Sequence, residues 1–273
     1  MTLLAHISDI HFGHEDALIV EGLLESLRKT KPDVIVVSGD LTQRAKKAQF
    51  RKARAFLREM PKVPHLVVPG NHDVSATNLL ERLTRPLKRY QRFITEDLSP
   101  YLDMGDVAIA GINTVRLLNR KDGRINQGQV KTACEQLGRA KENAVRVVVT
   151  HHPMDLPMED LKHPLVSRSK MAMEAFSKCG VDLFLSGHLH TGQSLVTTTR
   201  YKENVSYSAV VAQAGTAVST RTRGEANGWN LIELSGRADG AEMAIQEMVW
   251  EGKSFGKGQI SRFRCGSGGW LEA

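Results

Sequence analysis

The chain has 273 residues, 41% of them hydrophobic and 5% aromatic, and its 37 Lys and Arg against 30 Asp and Glu leave a formal charge of +7. That length can bury a core without disulfide staples, which excludes disorder for the chain as a whole, and no apolar stretch reaches the ~20 residues of a membrane span. The positive surplus points to an anionic partner without choosing among nucleotide, phosphorylated metabolite, nucleic acid and lipid headgroup.

In chain order, short runs rich in β-branched residues predict buried strands at 3–7, 34–37, 66–68, 145–149 and 181–185. Apolar residues at helical spacing predict helices near 16–29, 46–59, 77–96, 127–142 and 169–178. Strands alternating with helices give an α/β layered fold. Beyond His190 the runs 193–199, 206–214, 230–234 and 243–250 read as strands without long helices between them, expected to form a second sheet packed on the first. The Gly-rich, basic tail from Gly252 reads as a peripheral strand and a loose end. Cys134, Cys179 and Cys265 lie far apart and are expected to be unpaired packing residues in a reducing cytoplasm, and the N-terminus shows no signal-peptide pattern.

The five early strands end in residues that can bind a metal: Asp9-x-His11, Gly39-Asp40, Gly70-Asn71-His72-Asp73, His151-His152-Pro153 and Gly187-His188-Leu189-His190. Singly, each is compatible with a turn or a helix cap. Together, two carboxylates, an amide and several imidazoles arrive in order at strand ends, where α/β sheets bind ligands. The absence of thiolates favours Mn, Fe or Zn in a nitrogen- and oxygen-rich site.

These five blocks resemble the ordered signature of the calcineurin-like metallophosphoesterase superfamily, over about residues 3–235, and in size the chain is similar to the bacterial class III phosphodiesterases. The resemblance implies a four-layer αββα sandwich, two mixed β-sheets flanked by helices. It places the catalytic domain at 1–235, with a cap segment at 74–103, and residues 236–273 as a C-terminal strand and tail on the same domain. It also implies two divalent or trivalent ions (Mn, Fe or Zn), one held by Asp9, His11, Asp40 and His190, the other by Asp40, Asn71, His151 and His188. Asp40 then bridges, and a metal-bridging hydroxide attacks phosphorus. His72 would stabilise the transition state or protonate the leaving oxygen, with Asp73 orienting its imidazole. Asn71, His72, His152, Arg221 and Arg223 are the candidate substrate-binding residues.

The expected substrate is a small phosphodiester such as a cyclic nucleotide. Two alternatives stand beside it: a hydrolase of UDP-2,3-diacylglucosamine in lipid A synthesis, and a non-catalytic metal-bound scaffold. The basic residues Arg44, Lys46, Lys47, Arg51, Lys52, Arg54 and Arg58, and the leucine- and arginine-rich stretch 77–98, read either as solvated and core-packing faces or as surfaces for an anionic partner. Peripheral contact with an anionic membrane and homo-oligomerisation stay open. Nucleic acid is disfavoured, because no aromatic-interleaved basic stretch is present.

Overall fold

A computed structural model describes residues 1–75, 79–116, 121–156, 163–197, 207–222 and 224–273. In chain order it contains β1 (Thr2–Ile7), α1 (Ala17–Thr30), β2 (Val34–Val37), α2 (Lys47–Glu59), β3 (His65–Val67), α3 (Leu79–Thr84), α4 (Lys88–Phe93), β4 (Tyr101–Asp103) and β5 (Val107–Gly111). There follow α5 (Gln127–Leu137), β6 (Val145–Val149), α6 (Ser169–Lys178), β7 (Leu183–Ser186), β8 (Gln193–Val196), β9 (Val210–Gln213), β10 (Gly228–Leu234), β11 (Glu242–Trp250), β12 (Phe255–Gly266) and β13 (Gly269–Glu272).

The strands form a seven-stranded sheet, β13-β12-β11-β10-β1-β2-β3, and a six-stranded sheet, β4-β5-β6-β7-β9-β8. Side-chain alternation builds the layers. Leu4, Val34 and Val36 meet Ile109, Val147 and Leu185 between the sheets, while Ala5, Ile35 and Val37 face the other way into a cluster with Leu23, Leu27, Phe50 and Phe56 of α1 and α2. A third cluster packs α5 and α6 on the outer face of the second sheet through Val130, Met173 and Phe176. The result is the expected helix–sheet–sheet–helix order.

Local chemistry sets the helix ends. Asp16 caps α1, its carboxylate accepting from the Leu18 and Ile19 amides, and Asn126 caps α5 by accepting from Gln129. The single helix expected over 77–96 is broken into α3 and α4. Pro86 lies between them; it has no amide hydrogen and its ring disfavours helical backbone before it. The apolar side of α4 goes into the core: Leu87 and Tyr90 are buried, the Tyr90 hydroxyl donates to the Val67 carbonyl at 3.0 Å, and Phe93 stacks on Phe50.

Four expectations are corrected. The C-terminal strands do not make the second sheet: β8 and β9 join β7, whereas β10 pairs antiparallel with β1 and carries β11–β13. β4 and β5 are not among the predicted strands, although Val107–Gly111 is a wholly buried run. The tail is not loose, because β12 and β13 form a hairpin that buries Phe263 and Trp270. Cys134 and Cys179 are paired as a disulfide with Cα atoms 5.8 Å apart, leaving Cys265 as the free, buried cysteine. Sequence distance hid that pair because α5 and α6 pack side by side. Among the described residues no helix is long and apolar enough to cross a membrane.

The hairpin is anchored by Asp182, just before β7. Its carboxylate accepts from the Trp270 indole at 3.0 Å and from the Arg146 amide at 2.9 Å, and it lies 3.4 Å from the Arg237 guanidinium. Asp182→Ala would leave these buried donors unpaired, so an equilibrium urea titration is expected to show a loss of about 3 kcal/mol; an unchanged midpoint would refute the anchor.

Candidate metal centre

Strands β1, β2 and β3 are mutually parallel, as are β5, β6, β7 and β9. Their carboxyl ends open on one rim. Asp9 and His11 follow β1, Asp40 follows β2, Asn71 follows β3, His151 follows β6, and His188 and His190 follow β7. All of them are buried except His188, which is partly so.

The nitrogen and oxygen atoms converge. His11 Nε2 lies 3.5 Å from Asp9 Oδ1 and 3.6 Å from Asp40 Oδ2, His190 Nε2 lies 3.6 Å from Asp9 Oδ1, and His151 Nε2 lies 3.4 Å from Asp40 Oδ2. Asn71 Oδ1 is 3.0 Å from both His151 Nε2 and His188 Nδ1. Asp9 with His11 and His190, Asp9 with Asp40 and His151, and His151 with His152 and His188 each bring their ligand atoms within 4.8 Å of one another. His152 is therefore as close to His188 as a ligand would be, while its Nδ1 is 2.7 Å from the Thr114 hydroxyl; the choice of His151 over His152 is not made by proximity.

Hydrogen bonds at Nδ1 set the ring orientations. His151 Nδ1 donates to the Ser38 carbonyl at 2.8 Å, and His190 Nδ1 is 2.6 Å from the Thr216 hydroxyl, so each turns Nε2 to the centre. Such outer partners fix the tautomer of metal-binding histidines. Ser8 does the same for a carboxylate, its hydroxyl donating to Asp9 Oδ2 at 2.7 Å. The sequence reading did not single out Ser8, Ser38, Thr114 or Thr216 as site residues, though Ser8, Ser38 and Thr216 stand beside the motifs.

These residues fit metal ions. Asp9 Oδ1 and His11 Nε2 are buried with no hydrogen-bond partner, an arrangement that is costly for a protein interior unless a cation satisfies it. The electrostatics agree. Burial pushes the Asp40 carboxyl up, but His151, His11 and His72 outweigh it and hold it well below the usual range. Burial likewise opposes charge on His151, yet Asp40 and Asp9 raise its pKa to about 9. Burial, and then His151, push His188 down to about 3.

The backbone of the centre is strained. Asp9, His11, Asp40, His188 and His190 all have φ between 50° and 75°, a region costly for residues with a Cβ. Cross-loop hydrogen bonds impose it: the Asp9 amide donates to the Gly39 carbonyl and the His11 amide to the Asp40 carbonyl.

His72 sits beside the centre. Its amide donates to Asp40 Oδ1 at 2.7 Å, its Nδ1 is 2.8 Å from the Gln43 carbonyl, and its Nε2 is 3.1 Å from the Arg221 guanidinium. Two facts correct the expected roles. Gln43, not Asp73, orients the imidazole: Asp73 accepts from the Leu41, Thr42 and Gly70 amides and the Thr42 hydroxyl, and so ties the Asp40 loop to the Asn71 loop. In addition, a guanidinium only donates, so Nε2 accepts and the ring is the neutral Nδ1–H tautomer; burial lowers its pKa, as do His11 and Arg221. Arg221 thus lies against His72, and Arg223 lies outside the described residues. Of the histidines outside the motifs, His6 is buried against the Ser38 hydroxyl, and His14, His65 and His163 are exposed.

A sandwich of two mixed sheets with candidate aspartate, asparagine and histidine ligands on one rim defines a metal-dependent hydrolase scaffold. The calcineurin-like phosphoesterase family matches residues 2–192, and the chain belongs to that family. It is 30% identical over 173 residues to the glycerophosphodiester phosphodiesterase GpdQ of Enterobacter lignolyticus, a match spanning 56% of this chain and 58% of that protein. It is 26% identical over 264 residues to a cAMP/cGMP dual specificity phosphodiesterase of Mycobacterium tuberculosis, covering 85% of this chain and 76% of the other. Among solved structures, a lupin purple acid phosphatase superposes with TM-score 0.71 at 12% identity over 97% of this chain and 54% of its own. A zebrafish (Danio rerio) dimetal phosphatase gives TM-score 0.62 at 12% identity over 96% and 98%. The structural likenesses are likenesses of fold.

Proposed function

We propose that the chain is a two-metal phosphodiesterase acting on small phosphodiesters. The observation that carries this reading is Asp40, whose single oxygen Oδ2 approaches His11 on one side and His151 on the other, where a bridging carboxylate belongs. One ion would be held by Asp9, His11, Asp40 and His190, the other by Asp40, Asn71, His151 and His188, with residues 1–235 as the catalytic unit and 236–273 packed on it. When bound, two such ions polarise phosphoryl oxygens and make water nucleophilic near neutral pH.

The chain's own residues do the rest. The Asp73 carboxylate locks the Asp40 and Asn71 loops together, so the ligands keep their spacing while substrate comes and goes. Gln43 fixes the tautomer of His72, and His72 presents its Nε2 lone pair to Arg221. Arg221, exposed at the mouth, carries permanent charge to the place where a phosphoryl oxygen enters and can grip it bidentately. In this arrangement the positive charge comes from Arg221, while neutral His72 positions it.

Arg221→Ala is therefore expected to lower kcat/KM by about 10–100-fold, the equivalent of losing a charged hydrogen bond, at unchanged metal content. A variant with unaltered kinetics would remove Arg221 from the site. Substrate class is read from the relatives named as phosphodiesterases: cyclic nucleotides first, glycerophosphodiesters second. Purified protein loaded with Mn²⁺ should cleave bis-p-nitrophenyl phosphate and should be compared on cAMP, 2′,3′-cAMP, glycerophosphocholine and the monoester p-nitrophenyl phosphate. Absence of metal-dependent hydrolysis of every diester would defeat the proposal, and preference for the monoester would replace "diesterase" with "monoesterase".

A further inference from the structure

Beside the metal rim, a cleft of about 780 Å³ opens between the α3–α4 segment and the turn that follows β5. It is outside the ligand set described above. Four arginines line it, Arg85, Arg116, Arg124 and Arg168, and no acidic residue does among the described residues. Its apolar lining is Pro86, Leu87, Leu98 and Val115, and the amide residues Gln91, Asn113 and Asn126 complete it.

The arrangement is built, not incidental. The Arg124 amide donates to the Thr114 carbonyl, the Ile125 amide to the Ser167 carbonyl, and the Ser167 amide to the Gly123 carbonyl, so three separate segments bring Arg116, Arg124 and Arg168 to the cleft. Arg116 is pinned by the Val115 carbonyl at 2.7 Å and by Gln129 Oε1 at 2.6 Å. Burial, and then the charge of Arg124, hold its pKa below the usual arginine value. Like charges pressed together without a counter-charge cost energy that a bound anion would recover. Arg85, Arg124 and Arg168 are exposed and pair with no carboxylate among the described residues.

A cleft lined by arginines and apolar residues together, with amide residues at hand, matches one ligand chemistry: a flat heteroaromatic group carrying phosphates. We propose that this cleft is a binding site for a nucleoside polyphosphate, separate from the metal centre. The apolar residues take the base, the amides meet its polar edge, and the arginines take the phosphates. Thr114, which bonds His152, lies between Asn113 and Val115 of the cleft, so the two sites share one segment while presenting different chemistry.

Calorimetric titration of the full chain with ADP, pyrophosphate and adenosine, as purified and again after chelation, tests this. ADP is expected to bind in both states, at least about tenfold more tightly than pyrophosphate or adenosine, since each fills one half of the cleft. The exposed pair Arg85→Gln/Arg124→Gln should weaken ADP at least about tenfold, leaving the circular dichroism spectrum and the rate on bis-p-nitrophenyl phosphate unchanged. Equal ADP affinity in wild type and double variant would overturn the site, and pyrophosphate binding as tightly as ADP would overturn the nucleotide class. A parallel fall in diester hydrolysis would overturn the separation of the sites. Binding to chelated protein is read without hydrolysis, so failure of the phosphodiesterase proposal leaves this test intact.

Discussion

Asp40→Asn is expected to lower turnover of bis-p-nitrophenyl phosphate by about 10³-fold or more, roughly 4 kcal/mol of transition-state stabilisation, and to cut bound metal from two equivalents to at most one. The substitution keeps the volume and can keep the 2.7 Å bond from the His72 amide to Oδ1. It removes the negative charge on Oδ2, the atom lying 3.6 Å from His11 Nε2 and 3.4 Å from His151 Nε2. An amide oxygen is neutral and a poor bridge between cations, so both proposed ions lose a shared anionic ligand. In the metal-free protein His151 loses the partner that most favours its protonated form as well, and its raised pKa should fall. Elemental analysis of the dialysed variant with a steady-state assay checks both parts; two retained equivalents at full rate would remove Asp40 from its bridging place.

Gly70→Ala should act on the same spot from the backbone side. A Cβ at Gly70 would stand 2.1 Å from Asp40 Oδ1 and 2.2 Å from the Asp40 amide nitrogen. The first contact could be relieved by a rotamer change, but the second cannot, because it is main chain. The Asp40 loop must retreat, breaking the bonds by which Asp73 joins it to the Asn71 loop. Overpacking of this kind costs about 3 kcal/mol, a fall of roughly 6–12 °C in melting temperature for a chain of this size. Affinity for the metals should fall with it. A variant that melts like the wild type and keeps its metal would show that the two loops are not packed as described.

Both predictions rest on loops under strain. Five candidate ligands sit in left-handed backbone, at a cost of roughly 1–3 kcal/mol each. The surrounding hydrogen bonds hold them there, so the ligand positions depend on the loops as a unit more than on any one side chain.

The amino-acid sequence alone determined the family, the layered α/β class and the order in which the candidate ligands meet the rim. Each of those is carried locally: a buried parallel strand is a short β-branched run, and a ligand at its end is the next one or two residues. Only the tertiary structure decided how the strands divide between the sheets, because the pairing of β10 with β1 joins residues more than two hundred positions apart and leaves no local mark. The same holds for the Cys134–Cys179 pair and for Arg116, Arg124 and Arg168 of the cleft, whose three segments are joined by backbone bonds. The roles of Gln43 and Ser38 were illegible for another reason. They act through their carbonyls, and every residue has a carbonyl; which one meets an imidazole depends on the path of the chain in space.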